Sequence, residues 1–235
     1  MIFEQLFDVK SSTYTYIISS GKGREALIID PVIENTNEYI KILKNLDLKL
    51  VKVIDTHIHA DHISGLNELS KRTKCSKIMG EKSSSEVLDI RVKDNEKIKI
   101  ENIELISMYT PGHTDCSYSF LMNNRVFTGD ALLINSTGRT DFQNGNPYDA
   151  YESIFNKLLK LPEKTLVYPA HDYNKKKYST IENEKNNNPR LQVKSADQYA
   201  EIMNNLNFSS PLMMDLAIPA NKKGLTLDQL KYEKR

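Results

Sequence analysis

The chain has 235 residues, with 32 lysines and arginines against 31 aspartates and glutamates, and a formal net charge of +1. With both signs interspersed, that balance leaves no footprint for nucleic acid or an anionic membrane surface, and no run reaches the ~18 apolar residues a membrane span needs. Cys75 and Cys116 form neither a CxxC pair nor a disulfide framework, and MIFEQLFDVKSS lacks the apolar stretch of a secretory signal, so a reducing, cytoplasmic setting is expected.

A chain of this length buries a core without disulfide or metal staples, and the expected organisation is one domain over 1–224 with a C-terminal extension at 225–235. Apolar and β-branched runs bounded by turn residues predict strands at 13–19, 25–30, 50–56, 97–108, 118–122 and 125–130. GKG at 21–23 and the asparagine pair at 123–124 read as hairpin turns. Tyr39, Ile42, Leu43 and Leu46 fall at i, i+3, i+4 and i+7 after candidate caps at Asn35 and Thr36, which predicts a helix. Tyr151, Ile154, Phe155 and Leu158 repeat the spacing, with Pro147 suited to a first turn. A strand at 165–170 follows. The polar stretch 173–189 reads as a solvated helix and loop, and LTLDQLKYEKR as a loosely attached terminal helix. Strands alternating with helices suggest two β-rich halves covered by helices.

All five histidines lie in three short segments: THIHADHISG at 56–65, YTPGHT at 109–114 and VYPAHD at 167–172. Each segment follows an apolar strand, as does TGD at 128–130, and strand ends are where α/β architectures gather functional loops. A lone histidine is more often a hydrogen-bonded structural residue than a ligand, and for His113 or His171 alone that reading would stand. For HIHADH it fails. His57, His59, Asp61 and His62 crowd four potential ligands into six residues, and imidazoles with carboxylates are the ligand set of zinc, iron or manganese.

HxHxDH after a strand, then PGHT, TGD and a later strand-end histidine, resembles the metallo-β-lactamase superfamily. Seven positions match in order: His57, His59, Asp61, His62, His113, Asp130 and His171. The resemblance implies an α/β fold, an αββα sandwich of two mixed sheets with helices outside and metals at one rim. In two-metal members the first site takes the positions of His57, His59 and His113, the second those of Asp61, His62 and His171, and the position of Asp130 bridges. Within the superfamily, residues 4–18, ALIIDPV, TGDALLINSTGRTDFQNG, YPAHDY, NPRL and DLAIPAN resemble the persulfide dioxygenases, or ethylmalonic-encephalopathy protein family, over residues 2–224. The GDALL and GRTDFQ pieces are the most diagnostic.

That resemblance implies oxidation of glutathione persulfide by O2 to sulfite and glutathione, on one Fe(II) per chain held at His57, His113 and Asp130. Two histidines and one carboxylate leave three coordination positions on one side, as non-haem iron oxygenases require. His59, Asp61, His62 and His171 then either hydrogen-bond the ligands and substrate from behind or belong to a second metal site; the sequence leaves both open. The family pattern puts substrate contacts at Arg139 and Tyr173, against an ion pair of Arg139 with Asp141 and a solvent-edge tyrosine. It also implies a homodimer. Asp55 is expected to fix the loop or a ligand, Gly112 and Gly129 to serve tight turns, Arg190 to hold the C-terminal segment, and Cys116 to be a buried strand thiol. Some family members carry cysteines in the loop around Arg139; here Thr137 and Asn146 occupy that region, so no thiol-based regulation carries over there.

The competing enzyme reading is a glyoxalase II-like hydroxyacylglutathione thioesterase with a one- or two-metal zinc or iron site, where the metal lowers the pKa of a bound water to ~7. All its ligands are present, but its helical glutathione-binding C-terminal domain has no counterpart here. Lactonase and nucleic-acid-processing chemistry rank below it for want of a basic surface. A non-catalytic sulfur-sensing protein is the third class, and the intact ligand set argues against it.

Overall fold

The computed structural model describes residues 1–233. The first sheet runs in the order β1 (Ile2–Asp8), β2 (Thr13–Ser19), β3 (Glu25–Ile29), β4 (Lys49–Ile54), β5 (Ser76–Gly80) and β6 (Ile90–Val92). β1–β2 and β2–β3 are antiparallel and the remaining pairs are parallel. The second sheet comprises β7 (Lys97–Ile100), β8 (Ile103–Tyr109), β9 (Tyr118–Met122) and β10 (Arg125–Gly129), with a two-strand ribbon, β11 (Leu132–Leu133) and β12 (Ser136–Thr137), standing apart from it. It is completed beyond β10 by β13 (Leu166–Pro169) and β14 (Ser179–Thr180). β10–β13 is its only parallel pair among the described residues.

Strand alternation decides how the layers assemble, because successive side chains point to opposite faces. Tyr16, Ile18, Leu27, Ile29 and Ile54 of the first sheet meet Leu105, Phe120, Phe127 and Tyr168 of the second in one central core. The alternate residues face outward: Ile17, Ala26, Ile28 and Val53 pack under α1 (Thr36–Asn45) and α2 (Leu66–Thr73). Val126 and Val167 pack under α3 (Pro147–Tyr151), α4 (Ile181–Asn187) and α5 (Ala196–Asn204). Covered on both sides, β2 is buried along its whole length, which is why its sequence is an unbroken apolar and hydroxylic run. Ile33, Ile63, Ala217 and Ala220 form a fourth cluster beneath α6 (Met214–Lys223) and α7 (Leu227–Glu233). The αββα sandwich is the architecture expected.

Most predicted elements lie where the periodicity puts them. The 97–108 run is two strands, reversed at Glu101 with φ +46°, and Asn123 takes φ +50° in the next hairpin. Asn146 caps α3 by accepting from the amides of Tyr148 and Asp149, with Pro147 in the first turn. Asn35 precedes α1 without capping it; its side chain donates to Asp8 instead. β1, β5 and β6 have no counterpart among the predicted strands. β1 is an edge strand half-buried on both faces, so it shows no alternation, and β5 and β6 are short.

Two other expectations change. The 173–189 stretch is solvated on one side only: Glu184 of α4 is fully buried and accepts from Ser179 Oγ, the Asn135 amide and Asn188 Nδ2. Cys116 is buried but sits in the turn before β9, not in a strand, and burial pushes its thiol up from the usual range. In the terminal stretch the amide of Leu227 donates to Glu68, and Leu225, Leu227 and Leu230 pack on the fourth cluster. Lys234 and Arg235, the end of the expected terminal helix, lie outside the described residues.

Candidate metal centre

Four loops at strand ends supply the polar residues. His57, His59, Asp61 and His62 follow β4, His113 follows β8, Asp130 follows β10 directly, and His171 lies two residues beyond β13. β8 and β10 both run antiparallel to β9, and β13 runs parallel to β10, so all three deliver their C-terminal ends to one rim. Close approach requires glycine at two positions. Gly129 takes φ +52°, and a Cβ there would lie 2.6 Å from Thr56 Oγ1; Gly112 takes φ +138°, and its Cβ would overlap the backbone of Ala150 at 2.3 Å.

The structure brings His57, His113 and Asp130 together, with one donor atom of each inside a 4.8 Å cluster. His113 Nε2 is 3.5 Å from Asp130 Oδ2. Hydrogen bonds behind the two rings assign the protons. The Arg139 carbonyl, which only accepts, lies 2.8 Å from His113 Nδ1, so Nδ1 carries the hydrogen and Nε2 presents a lone pair. Thr56 Oγ1 donates to Asp30 Oδ2 at 3.0 Å and therefore accepts from His57 Nδ1, also at 3.0 Å, which leaves His57 Nε2 bare as well. Burial, reinforced by His59 and His113 alongside, holds His57 well below the ordinary histidine range, so it is neutral. Two neutral imidazoles and one carboxylate are a donor set that fits a divalent metal.

His59, Asp61 and His62 form a second cluster of the same dimension. His59 Nδ1 and His62 Nε2 are buried without a hydrogen-bond partner, which is costly for a polar atom that no ligand ever meets. Their other nitrogens are engaged: His59 Nε2 with Asp30 Oδ1 at 3.2 Å, His62 Nδ1 with Asp61 Oδ2 at 2.9 Å. Burial alone would lower His59, but the Asp30 carboxylate outweighs it and raises the ring to about 9. His171 lies between the clusters, with Nδ1 2.7 Å from Asp130 Oδ1 and Nε2 2.8 Å from Asp61 Oδ2. Burial opposes its charge, yet two carboxylates hold its pKa well above the ordinary value, and the same contacts keep Asp61 and Asp130 well below theirs against burial.

The loop itself is held from several directions. Asp30 accepts the Thr56 amide at 2.7 Å from beneath. Gln143 Nε2 donates to the Ile58 carbonyl at 2.9 Å. From α6, Asn221 Nδ2 donates to the carbonyls of His59 and His62 at 2.9 and 3.0 Å, while its Oδ1 accepts the Ser64 amide at 2.8 Å. Asp55 is buried with Oδ1 unpartnered, and burial pushes its carboxyl up to about 7. Thr13 Oγ1 lies within 3.3 Å of Asp61, His62 and His171. None of Asp30, Thr13, Thr56 or Asn221 was assigned a role from sequence. Asp30 and Thr56 carried a local signal, directly after a strand and directly before the first histidine. Asn221, some 160 residues from its partners, carried none.

Asp61, His113, Asp130 and His171 open into a cavity of about 480 Å³. Arg139 and Tyr173 both line it. The Arg139 side chain makes the ion pair weighed against substrate contact: Nε and Nη2 each donate to Asp141 at 2.6 Å, while Nη1 donates to the Ser209 carbonyl at 2.6 Å. Tyr173 is 77% exposed, its ring stacked over His171 at 6.4 Å. Arg190 is half-buried, donates to the Thr137 carbonyl and lies over the Phe208 ring.

Two face-to-face mixed sheets with a histidine–aspartate rim define a metallo-β-lactamase fold, and the model of the metallo-beta-lactamase superfamily matches residues 9–96 and 84–171. The chain is 39% identical over 226 residues to the mitochondrial persulfide dioxygenase ETHE1 of Mus musculus, spanning 95% of this chain and 88% of that one. The crystal structure of ETHE1 from Myxococcus xanthus superposes with a TM-score of 0.92 at 44% identity, covering 94% of this chain and 98% of the other. The hydroxyacylglutathione hydrolase of Dictyostelium discoideum is 32% identical over 216 residues, 86% of this chain and 78% of the relative. The chain belongs to the persulfide dioxygenase family of that superfamily.

Proposed function

We propose that this chain oxidises glutathione persulfide with O2, consuming one water and giving glutathione and sulfite, with one iron(II) held by His57, His113 and Asp130. The observation that carries the reading is the convergence of two bare imidazole nitrogens and one carboxylate, with His113 and Asp130 lining the cavity, in a member of the persulfide dioxygenases. Bound there, iron(II) supplies the redox chemistry that lets triplet O2 react with a closed-shell persulfide, which zinc cannot.

The protein's own groups do the rest. His171 engages Asp130 Oδ1, which leaves Oδ2, 3.5 Å from His113 Nε2, as the carboxylate atom that would face an iron. Asp61, 24% exposed at the cavity floor, takes the other His171 nitrogen and keeps the imidazolium in place. Phe142, Phe208 and Leu212 give the walls an apolar surface. Arg139 and Tyr173 stand where the tripeptide would lie. A cytoplasmic location and a homodimer belong to the same proposal. Two unpaired, buried cysteines support a reducing compartment, while the mouse relative is a mitochondrial protein. Among the described residues no helix is long and apolar enough to cross a membrane.

A second reading rests on the His59–Asp61–His62 cluster and on the hydrolase relative: a two-metal thioesterase acting on hydroxyacylglutathione. The test is oxygen uptake by anaerobically Fe(II)-loaded protein given glutathione persulfide, with sulfite quantified. Uptake matched by sulfite and abolished in His113→Ala supports the dioxygenase. No uptake, with cleavage of S-lactoylglutathione by zinc-loaded protein, replaces it with the hydrolase.

A further inference from the structure

Glutathione carries two carboxylates, so a cavity that takes it needs a cation free to meet one. Lys10, Arg139 and Arg190 are the lysine and arginine side chains that line the cavity. Arg139 gives two donors to Asp141 and others to the carbonyls of Phe208 and Ser209, with its guanidinium carbon over the Phe142 ring at 4.8 Å. Arg190 donates to Thr137 and is half-buried. Both guanidiniums are committed to building the wall. Lys10 is exposed, and among the described residues its ammonium has neither an acceptor nor an acidic partner.

Lys10 is also not on a slack loop. Asp8 Oδ2 accepts the amide and hydroxyl of Ser11 at 2.8 Å each, and Asp8 Oδ1 takes Asn35 Nδ2 at 3.0 Å. Ser12 turns the chain with φ +59°. The turn then enters β2 through Thr13, whose hydroxyl lies 3.1 Å from His171 Nε2 and 3.2 Å from Asp61 Oδ2. A pinned turn therefore holds an unpaired cation at the mouth, with its far end tied to the floor of the metal centre.

We propose that Lys10 binds a carboxylate of the thiol that carries the persulfide, and so is a specificity-determining residue; this rests on the reading of the site as a persulfide dioxygenase. Arg139 then acts by shaping the wall and by holding His113 through its carbonyl. A long-stemmed ammonium reaches a carboxylate as a point charge, without the fixed fork of a guanidinium, so Lys10→Arg should retain most of the effect. Because the contact is exposed, its size is modest and salt screens it.

The test is calorimetric titration of glutathione, of its diethyl ester and of coenzyme A into metal-loaded protein under anaerobic conditions. Lys10→Met should weaken glutathione about three- to tenfold and Lys10→Glu more, at low salt, with the ester bound equally by all forms. In turnover the same variants should raise KM and leave kcat within about twofold. Unchanged glutathione affinity in both Lys10→Met and Lys10→Glu overturns the proposal, as does an equal loss for the ester. Preference for coenzyme A over glutathione, lost in Lys10→Met, overturns the carboxylate in favour of a phosphate. Binding heat needs no turnover. Absence of oxygen uptake in the unmodified protein would therefore overturn the reaction and leave the Lys10 comparison decidable.

Discussion

The metal loop, residues 55–65, and the cavity wall at 206–213 face each other and are built on opposite terms. In the loop His57 and His59 are buried to within 1% of full coverage, and Asp30, Gln143 and Asn221 hold its backbone from three separate parts of the chain. The wall has no regular structure until α6 begins; Phe208 is 50% exposed and Leu212 fully so. Its clearest side-chain tie is Arg139, which binds the carbonyls of Phe208 and Ser209. Ligand geometry tolerates little error, so it sits where hydrogen bonds over-determine the backbone. Substrate recognition tolerates adjustment and sits where few contacts would be lost by moving.

The contrast can be broken most sharply from beneath the loop. Thr56→Val keeps the side-chain shape but removes the relay from Asp30 to His57 Nδ1. Metal affinity should fall on the order of 10- to 100-fold, measured by competition with a chromophoric chelator, with the circular dichroism spectrum unchanged. Next comes Asn221→Ala, which removes three hydrogen bonds to the loop. At about 1 kcal/mol each the loss is roughly 2–3 kcal/mol, and scanning calorimetry should show a melting temperature lower by about 5–10 °C. The wall should respond in the other way. Phe208→Ala should change KM by about two- to fivefold with little change in melting temperature, and a large loss of stability would mean the wall is as over-determined as the loop.

A pH-dependent effect concerns Asp55. Its carboxyl is raised to about 7 in the folded protein, above the ordinary 3.8, so the folded state binds the proton more tightly than the unfolded one. The stability this group adds in its protonated form is present below pH 4 and lost as the pH rises towards 7. Asn at that position cannot ionise. In metal-free protein, the melting temperature of Asp55→Asn minus that of the unmodified protein should therefore be more positive at pH 8 than at pH 5. An equal difference at both values would place the carboxyl's titration elsewhere.

The sandwich and the seven histidine and aspartate positions could be read from the chain because their signals are local. A strand followed by HIHADH, or a strand followed by TGD, states both its conformation and its chemistry within ten residues. The supports could not be read in that way. Asn221 looks like any polar residue near a helix end until the fold sets it against the carbonyls of His59 and His62. Glu184, in a stretch crowded with lysine and asparagine, is the one side chain there that four partners pull into the interior. Arg139 illustrates the opposite difficulty. Its candidate partners, Asp141 and the substrate, were both visible in sequence, and only the geometry shows that Asp141 already takes the fork.

The Asn221 tie also sets an order of events during synthesis. Every histidine and aspartate of the two clusters, and His171 between them, has been synthesised by residue 171, yet the side chain that closes hydrogen bonds to 59, 62 and 64 follows fifty residues later. For that interval the nascent chain carries a full set of metal donors on a loop without its last anchors. Translation at about 5–20 residues per second makes that interval last seconds. α6, which carries Asn221, is thus among the last parts of the chain to fix a loop whose donor residues were made long before it.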